Sequence, residues 1–403
     1  MPELSEAVER AASWLLTNRD PTTGGWATQQ GARANTLNTA EALCALFDAK
    51  IQPGDMRVRD AVAFLLKHQC KAGADQGSWP REIVLEDGSQ ALIPDIVRTC
   101  FVVEALIKSG IGPTDEPVAA ALEWIQGMRN ADGSWPYRRA APSALMPTCF
   151  ALLALVEAYR AGDQSLKSVI EAGLDRLVAR FRQSSRAFGQ PGPLEAVHTI
   201  YATLVFQAAR RADLSRFNRQ EVEAISWLRQ HPNQATRLVE ERMEIDPNGP
   251  GDYGFLFMTD ALLIRVLAGA ATQEPRNSEL VRGALMGLAG KTDESGGFYG
   301  YRVFSWSTAK AISALCVAGA EYQDFPKQSP EYTGLTVGPF ILAFALLLAV
   351  FVTYLSSVER FSFSTALSFM FLMLAALFGY GKLGEKTFAE LVQRILGAWR
   401  GKQ

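Results

Sequence analysis

Phe64-Leu65-Leu66-Lys67-His68-Gln69, then Gly77-Ser78-Trp79-Pro80, then Val97-Arg98-Thr99-Cys100-Phe101 is one phrase of a chain that repeats it. It reads as the end of an apolar helix, a glycine turn carrying an aromatic, and a second helix opened by a threonine. Outward from it, the threonine recurs as Thr39, Thr99, Thr148, Thr199, Thr259 and Thr308, at intervals of 60, 49, 51, 60 and 49 residues. Each interval has room for one helical hairpin and its loop. The turn recurs as Gly24-Gly25-Trp26, Gly133-Ser134-Trp135 and Gly296-Gly297-Phe298, whereas the fourth and fifth units offer only Phe188-Gly189 and Gly254-Phe255. Glycine supplies left-handed backbone there, and the aromatic packs across the joint. A period of this size marks a repeat architecture, and six copies predict a ring closed around a hollow.

An aromatic-Leu pair, a Gln and a Gly-x-Trp followed by a threonine-rich helix resembles the prenyltransferase and squalene-cyclase repeat, including the QW motif of triterpene cyclases. Residues 64–69 with 77–79 carry the nearest copy, and the resemblance runs over roughly residues 5–322. It implies an all-α fold, an (α/α)6 toroid of six helical hairpins over residues 1–325, with a cavity open at one end. An open solenoid of the HEAT or TPR kind is the other architecture, but it lacks the Gly-x-Trp turn.

The motifs that carry this family's chemistry are missing. Cyclases that protonate an alkene or epoxide use an Asp-x-Asp-Asp cluster with one aspartic acid kept protonated, and no Asp-x-Asp occurs in the chain. Magnesium-dependent terpene synthases use Asp-Asp-x-x-Asp, and no Asp-Asp occurs either. The histidines are His68, His198 and His231, and none pairs with cysteine as the zinc sites of prenyltransferases or lanthionine cyclases require. No metal or cofactor is expected. Asp95, Arg98, His198, Asp260, Tyr301, Arg302, Trp306 and Lys310, with Glu104, remain as candidate cavity-lining residues on or near the inner helices. Helix N-termini converging at the mouth would favour an anion. Against this, Asp95 and Arg98 also read as a helix-start carboxylate in an i,i+3 pair. The threonines read as bonding to their own helix or across the ring.

The totals are those of a globular chain: 403 residues, 48% hydrophobic, 20% charged and a net charge of −2. No basic stripe points to nucleic acid. Cys44, Cys70, Cys100, Cys149 and Cys316 are scattered and read as buried thiols in a reducing compartment. The acidic start, Met1-Pro2-Glu3-Leu4-Ser5-Glu6, has no apolar core of a secretory signal.

The averages hide a break near residue 330. Residues 333–355 and 361–380 are free of charge, and each has the length of about 20 residues that spans a bilayer. They predict two transmembrane helices. Lys382, Lys386, Arg394, Arg400 and Lys402 follow the second, while Arg360 is the one cation of the loop 356–360. The positive-inside rule then places the toroid and both termini in the cytoplasm, at the inner membrane. Gly334, Gly338, Ser364 and Ser368 suit helix–helix packing, so a homo-oligomer is expected. Residues 384–400 carry Phe388, Leu391, Val392, Ile395, Leu396 and Trp399 at helical spacing, an amphipathic interfacial helix.

These features predict a membrane-anchored, non-catalytic toroid that binds a small ligand, lipid or peptide in the cytosol. It would act as a sensor or effector at the membrane, in one form a defence-type effector that disrupts the bilayer. A membrane-attached terpenoid cyclase or prenyltransferase-like enzyme acting on an isoprenoid is the first alternative. A protein-binding scaffold is the second.

Overall fold

The threonine-headed runs and the apolar runs before them are helices in a computed structural model of the chain. It describes residues 4–319, apart from residue 30 and the stretches 85–88, 183–185, 190–191, 193, 215–217, 234–237, 245–251, 271–274 and 300–303. The chain divides into two compact units, Met1–Gln328 and Ser329–Gln403. The stretches expected at the membrane, 333–355, 361–380 and 384–400, with Gly334, Gly338, Ser364 and Ser368, lie outside the described residues. Among the described residues, no helix is long and apolar enough to cross a membrane.

Those residues form α1 (Leu4–Thr17), α2 (Thr36–Asp48), α3 (Met56–Lys67), α4 (Ile96–Lys108), α5 (Glu116–Gly127) and α6 (Leu145–Arg160). The second half adds α7 (Lys167–Ala179), α8 (Glu195–Arg211), α9 (Asn218–Gln230), α10 (Thr259–Ala268), α11 (Pro275–Ala289) and α12 (Ser305–Ala318). The even-numbered helices pack side by side in order, and α12 returns to α2, so the inner ring is closed. An open solenoid is thereby excluded. The odd-numbered helices form the outer layer, α3 on α2, α5 on α4 and so on around to α1 on α12.

Burial explains why the two sets differ in sequence. An outer helix meets the ring on one side, so α3 buries the single stripe Val58, Ala61, Phe64 and Leu65. An inner helix has protein on every side, and α2 is buried without a break from Thr36 to Leu46. Inner helices are therefore apolar nearly all round.

The repeated threonine and tryptophan are a joint. Trp26, Trp79 and Trp135 are fully buried. Their indole N–H groups donate to the carbonyls of Leu15, Leu65 and Ile125, each at 2.7 Å. Each of these carbonyls lies in the last turn of an outer helix, where it accepts the backbone N–H three residues on (Asn18, His68 and Met128, at 3.0–3.2 Å) and has a second lone pair left for the indole. The backbone N–H of the same tryptophan donates to the threonine hydroxyl of the following inner helix: Trp26 to Thr39, Trp79 to Thr99, Trp135 to Thr148, at 2.9–3.0 Å. Phe188 with Thr199 and Phe298 with Thr308 repeat the bond at 3.0 Å. The hydroxyl in turn donates to a carbonyl one turn back, as Thr99 does to Asp95 at 2.8 Å. Threonine is needed because one small group must accept and donate inside a dry interface. Thr99→Val keeps the shape but strands the Trp79 N–H, so we expect a loss of about 1–3 kcal/mol. Denaturant unfolding would measure it, with the exposed Thr17→Val as a control that should change little.

The uneven intervals also have a cause. Thr39 and Thr199, Thr99 and Thr259, Thr148 and Thr308 all lie 160 residues apart, so the ring is two successive sets of three hairpins. In each set the long interval holds an antiparallel β-hairpin. These are β1 (Pro80–Val84) with β2 (Gln90–Pro94) in the second unit, and β3 (Leu238–Glu244) with β4 (Asp252–Met258) in the fifth.

Candidate functional site

Two residues beyond each threonine, within the first two turns of each inner helix, stand Glu41, Phe101, Phe150, Tyr201, Ala261 and Lys310. They form a layer across the ring axis. Phe101 and Phe150 have centroids 5.3 Å apart, and Phe150 meets Tyr201 edge-on at 5.1 Å. Phe257, from the strand leading into α10, meets Tyr201 edge-on at 5.6 Å, where Ala261 is too small to reach. Four aromatics thus make a continuous belt in geometries that ring quadrupoles favour. The layer is completed by Lys310, whose Nζ lies 3.0 Å from Glu41 Oε1 and 4.5 Å from the Phe101 centroid.

Further along the same helices the axis becomes polar. Lys108 Nζ bridges Glu104 Oε1 at 3.0 Å and Asp48 Oδ1 at 3.1 Å, and Ser313 donates to Asp48 Oδ2 at 2.7 Å. Between the belt and these groups lies a small cavity lined by Glu41, Cys44, Asp48, Phe101, Glu104, Arg265, Ala309, Lys310 and Ser313. Burial works to raise the Glu104 carboxyl, but Lys108, Arg265 and Lys310 outweigh it and hold it below its ordinary 4.5. Burial works against the Lys310 ammonium too, and Glu41 overrides that, leaving it above 10.5. Burial pushes the Cys44 and Cys100 thiols well up, so both stay protonated. Among the described residues, no three His, Cys, Asp or Glu side chains gather as a metal ion would require.

Of the residues singled out by sequence, Lys310 and Glu104 come together in this cavity. The others are placed elsewhere. Asp95 caps α4, accepting from Val97 N at 2.8 Å and Arg98 N at 3.2 Å, with Arg98 Nε 3.4 Å from its other oxygen. Asn35 caps α2 in the same way at Asn38 N. These two N-termini, expected to be free for an anion, therefore have their amides occupied by protein. Asp260 turns toward the end of α11, where Lys291 Nζ meets it at 2.5 Å. His198 lies over Gly189, where a Cβ would stand 2.1 Å from its Nδ1. Trp306 is buried and stacks on Phe304 at 5.9 Å. Tyr301 and Arg302 lie outside the described residues.

Glu41, Asp48, Phe101, Arg265 and Ser313 escaped notice because inner helices look uniformly apolar. The signal was present in the register. Steps of two, five and nine residues from each threonine reach the axis, and Glu41, Asp48, Phe101, Glu104, Lys108, Lys310 and Ser313 all fall on them.

No family model matches the chain. Among characterised proteins, a stretch of 172 residues is 28% identical to drimenyl diphosphate synthase of Streptomyces showdoensis, covering 41% of this chain and 30% of that protein. Less than a third of that relative's length is therefore matched. Among solved structures, the type II terpene cyclase MstE of Scytonema superposes with a TM-score of 0.52 at 14% identity, over 79% of this chain and 99% of the other. A variant of that cyclase holding geranylgeranyl dihydroxybenzoate gives 0.53 at 14%, over 79% and 97%. The GH76A α-1,6-mannanase of Salegentibacter sp. HEL1_6 gives 0.55 at 10%, over 79% and 99%. A terpene cyclase and a mannanase share this ring, so the fold alone leaves the chemistry open. With the sequence match, the ring is a terpenoid cyclase-like α/α toroid.

Proposed function

We propose that the toroid takes an isoprenoid or similarly hydrocarbon-rich ligand onto its aromatic belt, and holds it without the proton-initiated cyclisation of terpenoid cyclases. The belt of Phe101, Phe150, Tyr201 and Phe257 carries this reading, since stacked ring faces and edges suit a branched, unsaturated chain. Phe101 is the point of entry, because it is half-buried and belongs to both the cavity and the belt. Cyclisation by protonation needs a carboxylic acid that keeps its proton at neutral pH. Glu104, the buried carboxyl at the cavity, is held ionised by three cations, and no Asp-x-Asp occurs in the chain. The two uncharged stretches at 333–355 and 361–380 would set the ring at a bilayer, where such chains dissolve. Capture without turnover is what a sensor of such a lipid requires.

The test is to place the full chain in lipid nanodiscs with farnesyl or geranylgeranyl diphosphate, reading occupancy by native mass spectrometry and products by gas chromatography. We expect occupancy, no new hydrocarbon skeleton, and about tenfold weaker binding for Phe101→Ala, the worth of one buried aromatic contact. A cyclised product would show an enzyme and overturn the non-catalytic half of the proposal. No occupancy by either compound would sink the isoprenoid assignment.

A further inference from the structure

Among the described residues, two strong hydrogen-bond donors, one lining this cavity and one on the belt beside it, have no hydrogen-bond partner. The first is Arg265. At the corresponding place, six residues beyond the threonine, the other inner helices carry Ala45, Ala105, Ala154, Val205 and Ala314. An arginine among small apolar residues is out of pattern, and its side chain lines the cavity. The carboxylates around it are already engaged: Glu41 by Lys310, Glu104 by Lys108, Asp48 by Lys108 and Ser313. Among the described residues the Arg265 guanidinium makes no hydrogen bond or contact ion pair, although its charge acts at longer range on Glu104. The second donor is Tyr201. Its ring belongs to the belt and it is 3% exposed, yet its hydroxyl is buried without a partner. That hydroxyl lies within electrostatic reach of Lys310, Glu41 and Arg265.

Buried polar groups in folded proteins are almost always satisfied, so an orphaned phenol asks for an explanation. An arginine has five donors and no acceptor, and its planar fork matches a phosphate or carboxylate edge. What would satisfy Tyr201 and Arg265 together is a group made of acceptors alone. We propose that Arg265 and Tyr201 form an anion seat at the polar edge of the aromatic belt, which takes the phosphate or carboxylate head of the bound ligand. This rests on the isoprenoid reading only for the tail; the seat itself needs no hydrocarbon. The head would face the cavity, and the chain would run from Tyr201 onto Phe150 and Phe101.

Three probes separate head from tail: farnesyl diphosphate, farnesol (a tail without the anion) and inorganic pyrophosphate (an anion without the tail). Binding to the full chain in nanodiscs would be read by calorimetry for the wild type, Arg265→Gln, Arg265→Lys and Tyr201→Phe. Farnesyl diphosphate should bind the Gln variant about 10- to 100-fold more weakly, as loss of a charged hydrogen bond implies, with Lys between the two. Farnesol should be indifferent to Arg265. Tyr201→Phe should weaken the diphosphate while leaving the empty protein equally or more stable, because the hydroxyl it removes is unpaired.

If farnesyl diphosphate and farnesol bind equally and ignore both substitutions, the seat is wrong and the hydrocarbon site stands. If pyrophosphate binds in an Arg265-dependent way and farnesol not at all, the seat stands and the isoprenoid reading falls. Destabilisation of the empty protein by Tyr201→Phe would show that the hydroxyl has a partner, which removes it from the seat. Should Arg265→Gln fail to fold, competition between pyrophosphate and farnesyl diphosphate on the wild type decides the matter: no competition overturns a shared seat.

Discussion

Gly77→Ala should cost the toroid about 3 kcal/mol or more, well beyond the same change at Gly73 or Gly133. All three glycines have left-handed backbone, with φ of +82° at Gly73, +89° at Gly77 and +87° at Gly133. Any side chain there pays roughly 1–2 kcal/mol for that conformation alone. What differs is the space. At Gly73 a Cβ would meet nothing within 4 Å, so the conformational penalty is the whole effect. At Gly133 it would meet Arg129 Nη2 at 3.1 Å and Arg176 Cγ at 3.2 Å, parts of long side chains that can move. At Gly77 it would stand 2.2 Å from the carbonyl oxygen of Ala120 and 2.4 Å from its carbon, so helix α5 itself must shift. The order of loss by denaturant unfolding should be Gly73 least, Gly133 next, Gly77 most. Equal losses at Gly73 and Gly77 would mean that the turn is not docked on α5.

That docking is how one unit finds the next. A Cβ at Gly24 would strike Asp60 on α3, and one at Gly296 would strike the Arg10 carbonyl on α1. The turns of the first three units therefore lean on the outer helix of the following unit, and the sixth leans on the first. Gln69 reinforces the second joint, with its side-chain amide donating to Gly77 O at 3.1 Å and to Pro117 O at 2.7 Å. The glutamine and tryptophan of this repeat are thus parts of one inter-unit clasp.

The parts of this molecule that sequence made legible are those built from local, repeated bonds. A threonine at the start of an inner helix recurs in all six units, and a glycine turn carrying an aromatic in four of them, so the six-fold ring could be read from their spacing. Unit four was obscure because its aromatic, Phe188, precedes its glycine. The bond to Thr199 survives all the same, since it needs only the backbone N–H of whatever residue stands there. The two β-hairpins were visible as the two 60-residue intervals, but nothing in those residues alone distinguished a hairpin from a long loop. The site was hardest to see. Glu41 and Lys310 are far apart in sequence and meet only because the ring closes, and Arg265 stands out only against the five small residues in its register. Asp260 and Asp95 looked functional because they are acids beside helix starts. Tertiary structure uses them to hold Lys291 and to cap α4.

The ring's closure makes Lys310→Met the more revealing of the two large stability losses. Lys310 lies on α12 and Glu41 on α2, the seam where the last inner helix meets the first, and their side chains are only 10% and 4% exposed. Methionine nearly matches the lysine stem but removes the charge, leaving the Glu41 carboxylate buried and unpaired. Breaking a buried pair in this way costs about 3–5 kcal/mol, whereas removing both charges is far milder. Glu41→Gln with Lys310→Met should therefore recover most of the loss, and a double-mutant cycle would give a coupling well above that of a surface pair. The pH dependence has a definite sign. Burial disfavours the Lys310 ammonium and Glu41 outweighs burial, so the folded pKa stands above the ordinary 10.5. Its contribution to stability is then whole below that ordinary value and is lost as the pH rises through the folded one. The difference between wild type and Lys310→Met should accordingly be flat up to about pH 10 and shrink beyond it. Glu104, held below 4.5, behaves oppositely: its contribution is whole above 4.5 and disappears as the pH falls through the folded value. An ion pair that merely decorates the seam would show a small coupling and no alkaline loss. One that closes the ring should show both, and the loss should be steepest where Lys310 gives up its proton.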